Sequence, residues 1–341
     1  MIRQRRRRTV VAGFAVAAVL VTAGCASSTN ANTAVVPSSL FVEGYGVAAS
    51  STLTALARDK GSIDMVGISG VSITPEGEGV AASSQEALAI AKKAKADGAQ
   101  SELLINNIDA TKGDFSAAIA TKMLSSEENR EFVIAGLAAE VDHGGYDGIQ
   151  LDLEYLTAKN ADGLVSFVSE LRATLPAKAT ISMALMASTT ASGYAQSGYD
   201  IARLSKDVDR FVLMAYDEHG SGFSTSGPVG GLPWTTQALG ALTSLVKPSK
   251  VVLGVAGYGY SWPTSGSGGV ISPAEARKQA GGGARWVAAQ GEWTAKLANG
   301  TVLWWSDAKS LTVRSNLAVS DKLHGVALWQ MSTGDVITRS K

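Results

Sequence analysis

From about residue 40 to its end, the chain alternates short apolar runs with longer amphipathic ones. Short runs rich in β-branched and aromatic residues read as strands, and segments with a 3.6-residue apolar period read as helices. Strands are expected at 40–48 (LFVEGYGVA), 63–69 (IDMVGIS), 103–108, 148–154, 180–186, 208–216 (VDRFVLMAY), 250–258 (KVVLGVAGY) and 325–330 (GVALWQ). Helices are expected at 51–59, 83–97, 132–141, 158–175, 198–204, 234–246 and 307–323. Strictly alternating strands and helices call for a parallel sheet covered by helices. Eight strands with seven intervening helices is the count of a (β/α)8 TIM barrel, an α/β fold. The alternative is an open doubly wound sheet, but neither G-x-G-x-x-G nor G-x-x-x-x-G-K-[ST] occurs in the sequence.

Residues 259–306, between the seventh strand and the last long helix, exceed what a simple connection needs. Within them, 292–297 and 301–305 flank Asn299-Gly300 and read as a β-hairpin. A small α+β insertion is therefore expected there, on the face where barrel loops carry function.

The fourth strand carries the chemistry. In Tyr146-Asp147-Gly148-Ile149-Gln150-Leu151-Asp152-Leu153-Glu154-Tyr155, the apolar row Ile149, Leu151, Leu153 alternates with the polar row Gln150, Asp152, Glu154. Residues two apart in a strand point the same way, roughly 6.6 Å apart. Two carboxylates facing a protein interior are costly without partners or a task; a solvated edge strand is the plain alternative. In a barrel, reactive groups sit at the carboxyl ends of strands. Glu154, Tyr216-Asp217, Tyr258 and Trp329 all stand at such ends.

Charge narrows the partner. The 341 residues are formally neutral, but five of the 30 basic residues fall within the first 24 positions, so the remainder is acidic. An acidic body argues against nucleic acid and suits an uncharged ligand. The three histidines, His143, His219 and His324, lack metal-ligand spacing, no G-x-S-x-G is present, and the single cysteine is Cys25. No cofactor or metal is expected, and the chain is expected to act as a monomer.

The first residues read as an address rather than as fold. Arg3 and Arg5–Arg8 precede an apolar stretch from Val10 to Val21, too short to span a bilayer. Thr22-Ala23-Gly24-Cys25 follows, resembling a bacterial lipoprotein signal with lipid on Cys25. An ordinary secretory signal cut near Ala26 is the alternative, and Arg7-Arg8 also permits twin-arginine export. The expected organisation is a signal over 1–24, a flexible tether over 25–39 rich in Ser, Thr, Asn and Ala, and the barrel over 40–341.

The fourth strand resembles the signature of glycoside hydrolase family 18, Asp-Gly-x-Asp-x-Asp-x-Glu: Asp147, Gly148, Asp152 and Glu154 match, and Gln150 replaces the middle Asp. The branch acting on bacterial cell-wall glycan, typified by spore-cortex hydrolases, often carries an amide at that place. Met214-Ala215-Tyr216-Asp217 matches the family's sixth-strand Met-x-Tyr-Asp. Glu218-His219, Gly227-Pro228-Val229 and Leu232-Pro233-Trp234 are similar to the spore-cortex branch. Residues 253–260 and 325–330 look like its seventh and eighth strands.

The resemblance implies cleavage of β-1,4-linked N-acetylglucosamine glycans, peptidoglycan first and chitin oligosaccharides second, by a substrate-assisted retaining mechanism. Glu154 would be the acid. Asp152 would orient the sugar's acetamido group, and Tyr216 would hold that group's oxygen. Substrate contacts would come from Gln150, Met214, Asp217, Tyr45, Tyr258 and Trp329. Gln150 is expected to hydrogen-bond Asp152. Trp304 and Trp305 would line outer subsites or pack the hairpin core. A non-catalytic glycan-binding barrel and a structural envelope lipoprotein are the rival readings.

Overall fold

The computed structural model describes residues 32–340. The signal expected over 1–24 and Cys25 both lie outside the described residues. Eight parallel strands close into a barrel: β1 (Phe41–Val47), β2 (Met65–Ser72), β3 (Gln100–Asn106), β4 (Gly148–Asp152), β5 (Thr180–Met186), β6 (Arg210–Met214), β7 (Val251–Ala256) and β8 (Gly325–Trp329). Each pairs with its neighbours in sequence, and β8 closes on β1 through Val326 opposite Val42.

The main core lies between the strands' outward residues and the surrounding helices. The helix Gln85–Ala96, for example, buries Ala87, Ile90, Ala91 and Ala94. That i, i+3, i+4, i+7 stripe faces the sheet, and Ser84 caps the helix by accepting the Ala87 N–H. Inside the barrel, Tyr45, Leu104, Val212, Val252 and Ala327 form one apolar layer.

The signature strand explains two of its own residues. Asp147 accepts the Ser101 N–H at 2.9 Å and so pins β4 against β3 at the foot of the barrel. A Cβ at Gly148 would collide with the Thr180 carbonyl of β5, so only glycine lets these strands close there.

Residues 259–305 form a five-stranded antiparallel sheet with the helix Pro273–Ala280 on one face. Its hairpin, Glu292–Lys296 and Val302–Trp305, turns through Gly300 at φ 84°.

Three features differ from expectation. The tether over 25–39 is not flexible throughout. Thr33–Val36 forms a parallel strand with Val336–Arg339 and buries Ala34 and Val36, because a partner some 300 residues away satisfies its backbone. The helix expected at 198–204 is shorter, Ile201–Leu204, and a separate short helix, Ala191–Gln196, precedes it. The helix Ala117–Ser125, between β3 and the helix Glu127–Gly144, was not foreseen. Among the described residues no helix is long and apolar enough to cross a membrane.

Candidate active site

Residues from the ends of β4 and β6 meet at the barrel mouth. β4 stops at Asp152, so Glu154 does not sit on the strand beside it; it occupies the first turn of the following loop. There Asn107 holds it by the backbone: its Oδ1 accepts the Glu154 N–H and its Nδ2 donates to the Glu154 carbonyl, both at 3.0 Å. Asn107 is fully buried and also donates to the Ser116 carbonyl. Tyr199 donates to the Leu153 carbonyl at 2.8 Å, fixing the preceding peptide. The chain then turns through Tyr155 at φ 58°, a left-handed conformation uncommon for a residue with a side chain.

Burial dominates the electrostatics. It raises Asp152 to about 7. It raises Glu154 well above the ordinary carboxylate range, aided by the charges of Asp152, Asp217 and Asp114. The Tyr216 phenol is likewise pushed far up by burial and by Asp152, Asp217 and Glu154. Groups that influence one another in this way share a single low-dielectric mouth. One Asp152 oxygen, Oδ1, is buried with no hydrogen-bond partner among the described residues.

β6 leads through half-buried Met214 to Tyr216 and then to Asp217, at φ 61°. Asp217 accepts the hydroxyls of Tyr258 at 2.6 Å and Tyr260 at 2.8 Å. Those bonds lower its pKa, but burial outweighs them and the net shift is upward. Trp329 lies half-buried at the end of β8, its ring 5.7 Å from that of Tyr45 and its peptide to Gln330 cis.

Several expected substrate contacts take other roles. Gln150 does not bond Asp152. It is fully buried and donates to Glu43 at 3.2 Å and Ser182 at 2.8 Å, because the inward position below Asp152 faces the barrel axis rather than the mouth. Tyr45 is buried beside Trp329 and Glu43. Tyr258 is buried and its hydroxyl is committed to Asp217. The strand pleat separates the paired tryptophans: Trp305 is fully buried under the insertion's helix, whereas Trp304, opposite Tyr260, lies on the other face.

Aromatic rings run outward from the mouth. Tyr216 meets Tyr258 at 6.3 Å, Tyr258 meets Tyr260 at 5.7 Å, and Tyr260 meets Trp262 at 5.9 Å. The loop after β6 that faces them is braced by Glu292, which accepts the N–H groups of Val229 at 2.7 Å and Gly230 at 3.0 Å and pairs with Arg314 at 3.2 Å. Asn107, Glu292 and Arg314 all escaped the sequence reading. Among the described residues no three His, Cys, Asp or Glu are placed to hold a metal. The arrangement can supply a proton from Glu154, accept an N–H on Asp152 and donate from Tyr216.

Known proteins share this architecture. The spore cortex-lytic enzyme SleL of Bacillus cereus superposes with a TM-score of 0.77 over 90% of this chain and 73% of its own, at 18% identity. A Cycas revoluta chitinase in complex with (GlcNAc)3 superposes with a TM-score of 0.75 over 86% of this chain and 95% of its own, also at 18% identity. In sequence, the cortical fragment-lytic enzyme of Bacillus anthracis is 24% identical over 254 residues, which cover 67% of this chain and 56% of that protein. The chain thus spans little more than half of that relative's length. A model of the glycosyl hydrolases of family 18 matches residues 82–334, and the chain belongs to that family.

Proposed function

We propose that this chain hydrolyses β-1,4-linked N-acetylglucosamine glycans with retention of configuration, peptidoglycan ahead of chitin oligosaccharides, outside the cytoplasm on a lipid anchor at Cys25. The observation that carries the reading is one buried mouth holding a strongly proton-retaining Glu154, an open Asp152 and the Tyr216 phenol. The preference for peptidoglycan draws support from the cortex-lytic enzymes among the similar proteins, and the chitin alternative from the chitinase seen with (GlcNAc)3.

In this mechanism Glu154 keeps its proton near neutral pH and gives it to the leaving glycosidic oxygen. The sugar's own acetamido oxygen attacks the anomeric carbon from the opposite face. Asp152 accepts the acetamido N–H and stabilises the oxazolinium cation, while Tyr216 donates to the acetamido oxygen and holds it in line. Water then opens the oxazolinium with Glu154 acting as base, so two inversions give net retention. Trp329 supplies a flat apolar floor for the reacting sugar ring.

Glu154→Gln is expected to lower kcat on a chromogenic N-acetylglucosamine oligomer or on purified cell wall by about 10²- to 10⁴-fold without loss of folding. A wild-type protein that binds these glycans and never cleaves them would instead be a glycan-binding barrel. The anchor has its own test: Cys25→Ala should move the protein from the membrane fraction to the medium, and an unchanged distribution refutes lipidation.

A further inference from the structure

Beneath the mouth, the barrel interior is charged. Glu43 of β1, Glu102 of β3, Gln150 of β4 and Ser182 of β5 are fully buried, and Arg210 of β6 nearly so. Two acids there face one cation. Glu102 is well provided for: Arg210 Nη2 lies 2.7 Å from it, Ser182 donates at 2.6 Å, and Thr180 donates as well. Glu43 is not. It accepts from Gln150 Nε2 at 3.2 Å, the Arg210 Nε stands 3.7 Å away, and its Oε2 has no hydrogen-bond partner among the described residues. Glu43 is therefore the less fully satisfied of the two acids: it shares the Arg210 charge with Glu102, at the longer distance.

Gln150 stands between this layer and the mouth, one inward position below Asp152 on β4. Its Nε2 is spent on Glu43 and Ser182, and its Oε1 has no hydrogen-bond partner among the described residues. The next inward side chain up β4 is Asp152, whose Oδ1 is in the same condition. An amide offers one acceptor end and one donor end.

We propose that Glu43 is a positioning residue of the catalytic pocket, which sets the facing of the Gln150 amide and through it the protonation state of Asp152. With Glu43 ionised, the amide turns its N–H groups down towards Glu43, and the oxygen left over favours a protonated Asp152. With Glu43 protonated, its O–H donates to Gln150 Oε1, the amide turns over, and Nε2 donates to an ionised Asp152. One proton is thus shared between two carboxyls across an amide, and the form with the proton on Glu43 leaves Asp152 charged for the oxazolinium. The groups facing Glu43 are Arg210, Glu102, Tyr45 and Gln150, and its charge also reaches Tyr216. Burial raises Glu43 to about 7 against the opposing charge of Arg210, and raises Asp152 as well, so both carboxyls hold a proton more tightly than ordinary carboxylates.

The inference rests on the proposed reaction for its kinetic test and has a second test that does not. The pH dependence of kcat on a chromogenic N-acetylglucosamine oligomer is measured for wild type, Glu43→Gln, Gln150→Leu and the double variant. Glu43→Gln leaves no anion to hold the N–H groups of Gln150 down, so they are free to donate to Asp152, and the acidic limb should move down by about one pH unit, a tenfold change in proton concentration. On the Gln150→Leu background the same substitution should move it by nothing. A limb unmoved by Glu43→Gln, or moved equally in both backgrounds, overturns the proposal. Should Glu43→Gln fail to fold, Gln150→Leu alone must still shift the limb, and an unshifted limb overturns the proposal.

Thermal unfolding supplies the activity-independent test. A native pKa of about 7 against an unfolded 4.5 means the native state binds more protons between those values. Stability present below pH 4.5 is then lost as pH rises through about 7. Glu43→Gln should flatten that fall in Tm, and an unchanged slope overturns the proposal even if wild type cleaves no glycan.

Discussion

Asp152 at the barrel mouth and Glu292 under the insertion are both carboxylates inside the protein, and the fold treats them in opposite ways. Glu292 is met by two backbone N–H groups and a buried guanidinium, so each oxygen has a donor. Those donors oppose the upward push of burial on its pKa without overcoming it. Asp152 has no such help: burial is the sole cause of its rise to about 7, and its Oδ1 is left open. The first arrangement joins the loop after β6 to the insertion and to the helix Ala308–Ser320, which is a structural task. The second withholds partners from a group that must accept one from a ligand. An unpaired buried acid costs stability, so its persistence beside a phenol and a second acid is what separates this mouth from the braced region.

The strongest way to break the comparison is to give Glu292 the condition of Asp152. Arg314→Met removes the guanidinium, which also bonds the Gly291 carbonyl at 2.9 Å and the Gly230 carbonyl. Breaking one side of a buried pair typically costs about 3–5 kcal/mol. Urea unfolding should show a loss of that size, and a double variant with Glu292→Leu should recover part of it, because the stranded charge is then gone. A loss under about 1 kcal/mol would mean that water or rearranged backbone replaces Arg314 and that the brace is incidental.

How far these two regions could be read from sequence follows the distance over which their partners act. The row Gln150, Asp152, Glu154 was legible because strand alternation is local, and the eight apolar runs gave the barrel for the same reason. Glu154 leaving the strand was not legible: it depends on Asn107, whose Asn106-Asn107 dipeptide reads locally as the turn that follows a strand. The true partners of Gln150 come from β1 and β5, and no pattern within β4 announces them. Arg314 occupies a helix position that looks solvated until the insertion folds over it. The strand Thr33–Val36 finds its partner only at the other end of the chain. The helix Ala117–Ser125 is different, since Ile119, Ala120, Met123 and Leu124 have helical spacing and are buried. A long structureless connection after β3 should itself have pointed to it.

The comparison is sharpened from the other side by Asp152→Asn, which removes the open charge and keeps the shape. Loss of the group that accepts the acetamido N–H and faces the oxazolinium should lower kcat by about 10²- to 10³-fold. Stability should move the other way, and only over part of the pH range. Asp152 has a native pKa near 7 against 3.8 when unfolded, so the native state holds the extra proton between those values. Its contribution is intact below pH 3.8 and is lost as pH rises through about 7. The Tm of Asp152→Asn should therefore match wild type in acid and exceed it above pH 7, whereas Glu292→Gln, which disturbs a satisfied group, should lower Tm across the range. Equal pH-independent changes in both variants would show that the mouth and the brace bury their carboxylates on the same terms, and that openness at Asp152 is no mark of function.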